Sequence, residues 1–284
     1  MDRHAARPRA LGLALALCLA CAEAPGRPVV VATLPPLAWF VRALVPADAA
    51  DVVTLVPAGA SPTNHEPGFL ELRALSHARL WVRVGHPHFA FEEAILAPLL
   101  RERSDLRAVA AWGGGAQGGD DEHGDPHVWL APGQARALVV RLAPALALAL
   151  PEAAPAVEAR LPGLLAEIDA LDRELGARLA PFAGKPFVVF HGAWGHLAEA
   201  YDLEQLALQH GHREPSLPAL AALVARARAA GTHTVFVQPQ FDRASATLVA
   251  EALGGRVALL DPLPEDWPAG LRATGAALAA SFAR

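Results

Sequence analysis

The sequence predicts an α/β fold of two lobes, each with a mainly parallel four-stranded sheet flanked by helices, joined by a long connecting helix. Three observations predict it. Short β-branched and apolar runs alternate with segments of helical periodicity, the pattern of parallel strands covered on both faces. These runs fall into two series, and a leucine-rich amphipathic stretch separates the series. With 284 residues and 53% hydrophobic content, the chain is long enough for two ordinary cores.

Residues 1–21 read as an export signal. "MDRHAARPRA" carries Arg3, Arg7 and Arg9, "LGLALALCLA" is an apolar run too short to span a bilayer, and Cys21 follows. Two cleavage points stand open: before Cys21, in a lipobox "CLAC" that would leave a lipid-modified terminus, or after "ACA", at Ala22. Either way the mature chain is expected outside the cytoplasm, periplasmic or extracellular, with a lipid anchor through Cys21 in the first case. Loss of Asp2 with Arg3, Arg7 and Arg9 removes a net +2 and takes the formal charge from -5 to -7. Such a chain has no basic stripe for nucleic acid. Cys18 and Cys21 both fall within the signal, so a transition-metal site in the mature chain must use imidazole and carboxylate.

The first lobe is expected over residues 28–150. "PVVVAT" (28–33), "DVVTLV" (51–56), "RLWVRVG" (79–85) and "DLRAVA" (105–110) read as strands, separated by helical segments such as "FLELRALSHA". The connecting helix is expected over 151–181. In it Leu161, Leu164, Leu165, Ile168, Leu171, Leu175 and Leu179 recur every three or four residues. Run as one helix from 152 to 180 it would reach about 43 Å, and Pro162 predicts a kink or break within it. The second lobe is expected over 185–284, with strands at "PFVVF" (186–190), "LEQLAL" (203–208), "HTVFVQ" (233–238) and "RVALLD" (256–261).

Ligands of such proteins bind where the carboxyl ends of strands face a crevice. Applied to the 12 histidines, that rule selects His65, His127 and His191, each after a strand, and adds the carboxylate of Asp261. His77 and His233 precede strands and read as ordinary hydrogen-bonded residues. His86 and His88 in "GHPHF" form a secondary pair, His210 and His212 read as a surface loop, and His196 borders the site. Three imidazoles and a carboxylate suit a tetrahedral zinc ion. No local "HExxH" motif is present, so the residues alone leave two readings open: a metal site, or four unrelated polar residues in loops.

The strings "VPAGASPTNHEP", "DPHVWLAP", "FHGAWGHLAEAYDL", "FVQPQF" and "LLDPLPEDW" together resemble the zinc-binding substrate-binding proteins of bacterial ABC transporters, a cluster with manganese-binding relatives. The resemblance runs from "VVATLPPLAWFV" to "LDPLPEDW", nearly the whole mature chain. It implies two α/β lobes joined by a long helix, with the metal in the cleft between them. It carries over His127 through "DPHVWL", His191 through "HGAWG" and Asp261 through "LDPL". A histidine at 191 is the zinc-type choice, since manganese favours more oxygen ligands.

The chain departs from the family pattern in three places. Relatives commonly place the first histidine directly after the proline of an "SPH" motif, whereas here Thr63 and Asn64 intervene before His65. Glu66 is the substitute if His65 does not coordinate. Residues 113–126, "GGGAQGGDDEHGDP", stand where many relatives have a long histidine-rich acidic insertion. The connecting helix is commonly uninterrupted in relatives and here contains Pro162.

The resemblance therefore implies a monomeric, non-enzymatic receptor that binds Zn2+, with Mn2+ less favoured, and delivers it to the membrane permease of an ABC transporter. Falling pH is expected to weaken binding, because imidazoles protonate near pH ~6.5. Trp129 and Trp194 are expected to pack the cleft wall, and Gln238 and Gln240 to supply hydrogen bonds around the site. The alternatives are a secreted zinc hydrolase, with Glu66 or Asp261 as general base, and a metal-binding surface adhesin of the same fold.

Overall fold

The computed structural model describes residues 26–62, 64–113, 124–209 and 216–283. The export-signal reading of 1–21, His210, His212 and most of the acidic loop lie outside the described residues.

In the first lobe the chain runs β1 (Val29–Ala32), α1 (Pro35–Leu44), β2 (Asp51–Thr54), α2 (Phe69–His77), β3 (Ala78–Arg83), α3 (Ala90–Glu102) and β4 (Arg107–Ala110). A 3-10 turn (Val128–Leu130) leads into α4 (Pro132–Ala149) and α5 (Ala154–Leu179). The second lobe is β5 (Pro186–His191), α6 (Gly195–Ala200), β6 (Glu204–Gln209), α7 (Leu217–Ala229), β7 (Thr234–Val237), α8 (Ala244–Ala252), β8 (Arg256–Leu259) and α9 (Trp267–Phe282). Every run read as a strand is one. The sheet orders are β2-β1-β3-β4 and β6-β5-β7-β8, with all pairings parallel. The two lobes thus share one topology, although no internal repeat is evident in the sequence.

Strand alternation divides the interior. Val30, Ala32, Leu80, Val82, Phe187 and Val189 face one core that runs through both lobes. Their neighbours Val31 and Trp81 face an outer cluster in the first lobe, and Val188 faces one in the second. This is the period of two expected when both faces of a sheet are covered. α5 supplies the middle of the shared core through Val157, Leu164, Ile168, Leu171, Leu175 and Leu179, and packs against α1, α4 and α9.

The connecting helix runs from Ala154 to Leu179 with Pro162 inside it, so of the kink or break expected there the break does not occur. Pro162 and Glu158 both lie on the exposed side, so the carbonyl left without its donor faces water. The apolar stripe on the opposite side holds the helix together. α4 and α5 change direction by 120° between Ala149 and Pro151, which folds α4 back along the spine. Among the described residues no single helix is long and apolar enough to cross a membrane. The first turn of α2 is not a core element: Phe69 and Leu70 are exposed, and Leu75 is that helix's buried residue.

Candidate metal-binding cleft

In each lobe the strand order reverses between two central strands, β1 and β3 or β5 and β7, which opens a crevice at their carboxyl ends. The first lobe fills its crevice internally. Glu92, fully buried, accepts hydrogen bonds from Thr33 Oγ1 at 2.5 Å, Val84 N at 2.8 Å and Gly85 N at 2.7 Å, while Trp81 Nε1 donates to Thr33 Oγ1 at 3.0 Å. Burial pushes the Glu92 carboxyl above the usual 4.5, against the opposing effect of those hydrogen bonds and the charge of Arg83.

The second lobe uses its crevice to present His191. This residue ends β5 and is still in register with Gln209 of β6. Its ring centroid lies 5.3 Å from that of His127, the two planes at 75°. Phe241 packs 5.6 Å away on the His191 ring.

His127 is held by Asp125, two residues earlier. Asp125 Oδ1 accepts from the His127 backbone N at 2.9 Å and pairs with its Nδ1 at 2.7 Å. In the neutral ring the hydrogen therefore sits on Nδ1 and the lone pair on Nε2, the arrangement of a histidine prepared to bind a cation. Burial would raise the Asp125 carboxyl, but the charge and hydrogen bonds of His127, with the charge of His196, hold it below the usual 3.8. The partner lobe closes over this carboxylate. His196 Nε2 lies 2.9 Å from the Asp125 carbonyl, and a Cβ on Gly195 would stand 2.6 Å from Asp125 Oδ2. Asp125 is a positioning residue that the sequence reading passed over; a carboxylate two residues before a ligand-type histidine was the available signal.

His65 lies in a turn closed on Ser61, whose carbonyl accepts from Asn64 N at 3.2 Å and His65 N at 3.0 Å. The imidazole is half-buried, and its Nε2 is shielded from solvent with no hydrogen-bond partner. A buried nitrogen in that state is costly unless something occupies it. Asp261 is exposed just past β8, with Oδ1 accepting from Leu263 N at 2.9 Å. Glu66 is exposed.

Of the four residues selected from the sequence, the structure brings together His127 and His191. Among the described residues, no three His, Asp or Glu side chains are gathered tightly enough to enclose a cation. His86 is buried against His88 and Trp112, and its Nδ1 accepts from His88 N at 3.2 Å. His77 and His233 pair with the carbonyls of Arg73 and Leu253, an ordinary structural role. Trp129 and Trp194 are buried. Trp129 Nε1 donates to the Pro262 carbonyl at 2.7 Å, and Trp267 Nε1 donates to the Trp129 carbonyl at 2.6 Å, so the loops after His127 and Asp261 are tied together across the lobes.

Two matching α/β lobes thus share a helical spine, and His127 and His191 meet in the cleft between them. The chain belongs to the family described as zinc-uptake complex component A, periplasmic, which residues 30–279 match. It is 26% identical over 279 residues to the zinc-binding lipoprotein AdcA of Streptococcus pneumoniae serotype 4, covering 91% of this chain and 55% of that one. The chain therefore spans about half the length of the curated relatives it matches. A zinc-bound crystal structure of a ZnuA deletion mutant is 31% identical with a TM-score of 0.80, covering 90% of this chain and 98% of that one. A further ZnuA crystal structure is 30% identical with a TM-score of 0.82, covering 90% and 99% of the two chains.

Proposed function

We propose that this chain is an extracytoplasmic receptor that captures Zn2+ in its cleft and hands it to the membrane permease of an ABC transporter. The observation that carries the reading is the pairing of His127 and His191 from opposite lobes, with Asp125 fixing the tautomer of His127. His65 supplies a third nitrogen: its shielded Nε2 is suited to accept a metal bond. Asp261 supplies the fourth ligand and part of the charge balance, leaving one oxygen on its local turn. His65 and Asp261 close on the pair when the ion arrives. Imidazole donors favour zinc over manganese. The receptor acts as a monomer, carried on a lipid at Cys21 where the signal is cut before that residue.

The receptor reading is favoured over a hydrolase by the carboxylates. A hydrolase needs a base beside a metal-bound water. Glu66 is exposed, and Asp261 already shares an oxygen with its own loop. The test is to strip the purified protein of metal and titrate Zn2+ and Mn2+ by calorimetry. Tight 1:1 zinc binding with weaker manganese binding is expected; absence of zinc binding overturns the reading.

A further inference from the structure

Pairing between β5 and β7 is in register at Val188↔Val235 and Val189↔Phe236 and stops before His191. At that point a side chain replaces the missing strand. Gln238, only 1% exposed, donates from Nε2 to the His191 carbonyl at 2.8 Å and accepts from the His191 N at 3.4 Å through Oε1. A carboxamide carries the same donor and acceptor as a peptide group, so Gln238 adds one more rung to the ladder after its own strand has turned away.

The other flank is built from the same chemistry. Gln205, in β6, accepts from the Trp194 N at 2.7 Å through Oε1. The loop between lies against it: a Cβ on Gly192 would be 3.4 Å from Gln205 Nε2 and 3.1 Å from Ala207 Cβ, and one on Gly195 would be 3.7 Å from Gln205 Nε2. The exit of β5 is thus held from both neighbouring strands by neutral amides.

We infer that Gln238, bound to the His191 main chain, and Gln205, bound to the Trp194 amide of the loop that follows, are positioning residues that set the pose of the His191 imidazole toward His127. The inference rests on the metal-receptor reading of the cleft. Zinc–nitrogen bonds are about 2.0–2.1 Å long and tolerate only about 0.2 Å of error, so a ligand at the last residue of a strand needs its main chain anchored. Amides do this without adding charge beside the ion. A glutamate at either position would place a charge next to the site, and a shorter asparagine would not span the gap.

The experiment compares purified wild type with Gln238→Met and Gln205→Met, each nearly isosteric and unable to make these hydrogen bonds, and with the same changes in a His191→Ala background. Gln238→Leu, neutral and likewise unable to make either hydrogen bond, replaces the methionine variant if that fails to fold. Zinc affinity is expected to fall about 10- to 100-fold in each single variant, with no further loss when His191 is already absent. In the metal-free protein, exchange of the His191 amide should quicken in Gln238→Met and that of the Trp194 amide in Gln205→Met. Unchanged affinity, an equal loss in both backgrounds, or unchanged amide exchange overturns the inference. Failure of the wild type to bind zinc overturns the receptor reading instead, and amide exchange then decides the positioning role by itself.

Discussion

The imidazoles of His127 and His191 approach from opposite lobes to a centroid distance of 5.3 Å, one ring nearly perpendicular to the other at 75°. The two rings meet edge to face, and each is held by a different device. His127 is oriented through its ring by Asp125 and His191 through its backbone by Gln238.

Replacing either histidine by alanine should cost more zinc affinity than the loss of an orienting partner, so a fall beyond about 100-fold is expected for His127→Ala and for His191→Ala. His65→Ala should fall in the same range, and Asp261→Ala by less, because one of its oxygens serves its own turn. Calorimetric titration of the metal-free variants checks this, and an unaffected His65→Ala would pass its role to Glu66.

Gly195→Ala tests the closure over Asp125 from the partner lobe. Alanine suits the first turn of α6, but its Cβ would stand 2.6 Å from Asp125 Oδ2, on a carboxylate already committed to His127. The carboxylate must shift and release His127 Nδ1. A loss of about 10- to 100-fold in zinc affinity is expected with little change in unfolding midpoint, measured by titration and thermal melts.

Glu92 predicts a pH dependence in the metal-free protein. Its native pKa is raised above 4.5, so below that value it is neutral in both native and unfolded states. As pH climbs past 4.5 the unfolded chain ionises first, and the stability due to the neutral native carboxyl is lost as pH rises through the raised native value. Urea melts from about pH 4 to about pH 8 should show this decline in wild type and a flatter profile in Glu92→Gln. Glu92→Ala should cost at least about 2 kcal/mol, because the Thr33 hydroxyl and the Val84 and Gly85 amides would lose their acceptor.

The spine predicts cooperative unfolding. Leu171, Ile168 and Leu175 of α5 are buried in a core that contains residues of both lobes. Leu171→Ala should cost about 2–5 kcal/mol, and both lobes should melt in one transition when followed by probes in each sheet. Two separate transitions would contradict a common core.

The strands and the spine were legible because period-two and helical apolar patterns report burial directly. Val30 and Val31 point to different cores, and both had to be apolar. Pro162 does not break the helix because a proline's cost depends on which side of the helix it occupies, and that side is exposed here. Placement after strands selected His127 and His191, and the structure pairs them. It could not show that Asp125 grips His127 or that Glu92 fills the first lobe's crevice, since both contacts depend on side-chain direction rather than residue pattern. The identical strand order of the lobes was equally hidden, because topology survives without repeated residues.

The tie between Trp129, Pro262 and Trp267 bears on how an ion would leave. Trp267 also packs 4.9 Å from Phe40 and 5.6 Å from Trp39 of the first lobe, so an aromatic joint links the lobes. Swinging the lobes apart like jaws would break two indole hydrogen bonds and wet that joint. The described residues of 59–68 are exposed or half-buried and have far less to lose. On the proposed receptor reading, a rearrangement confined to the 59–68 loop would disturb fewer packed contacts than a rotation of one lobe against the other.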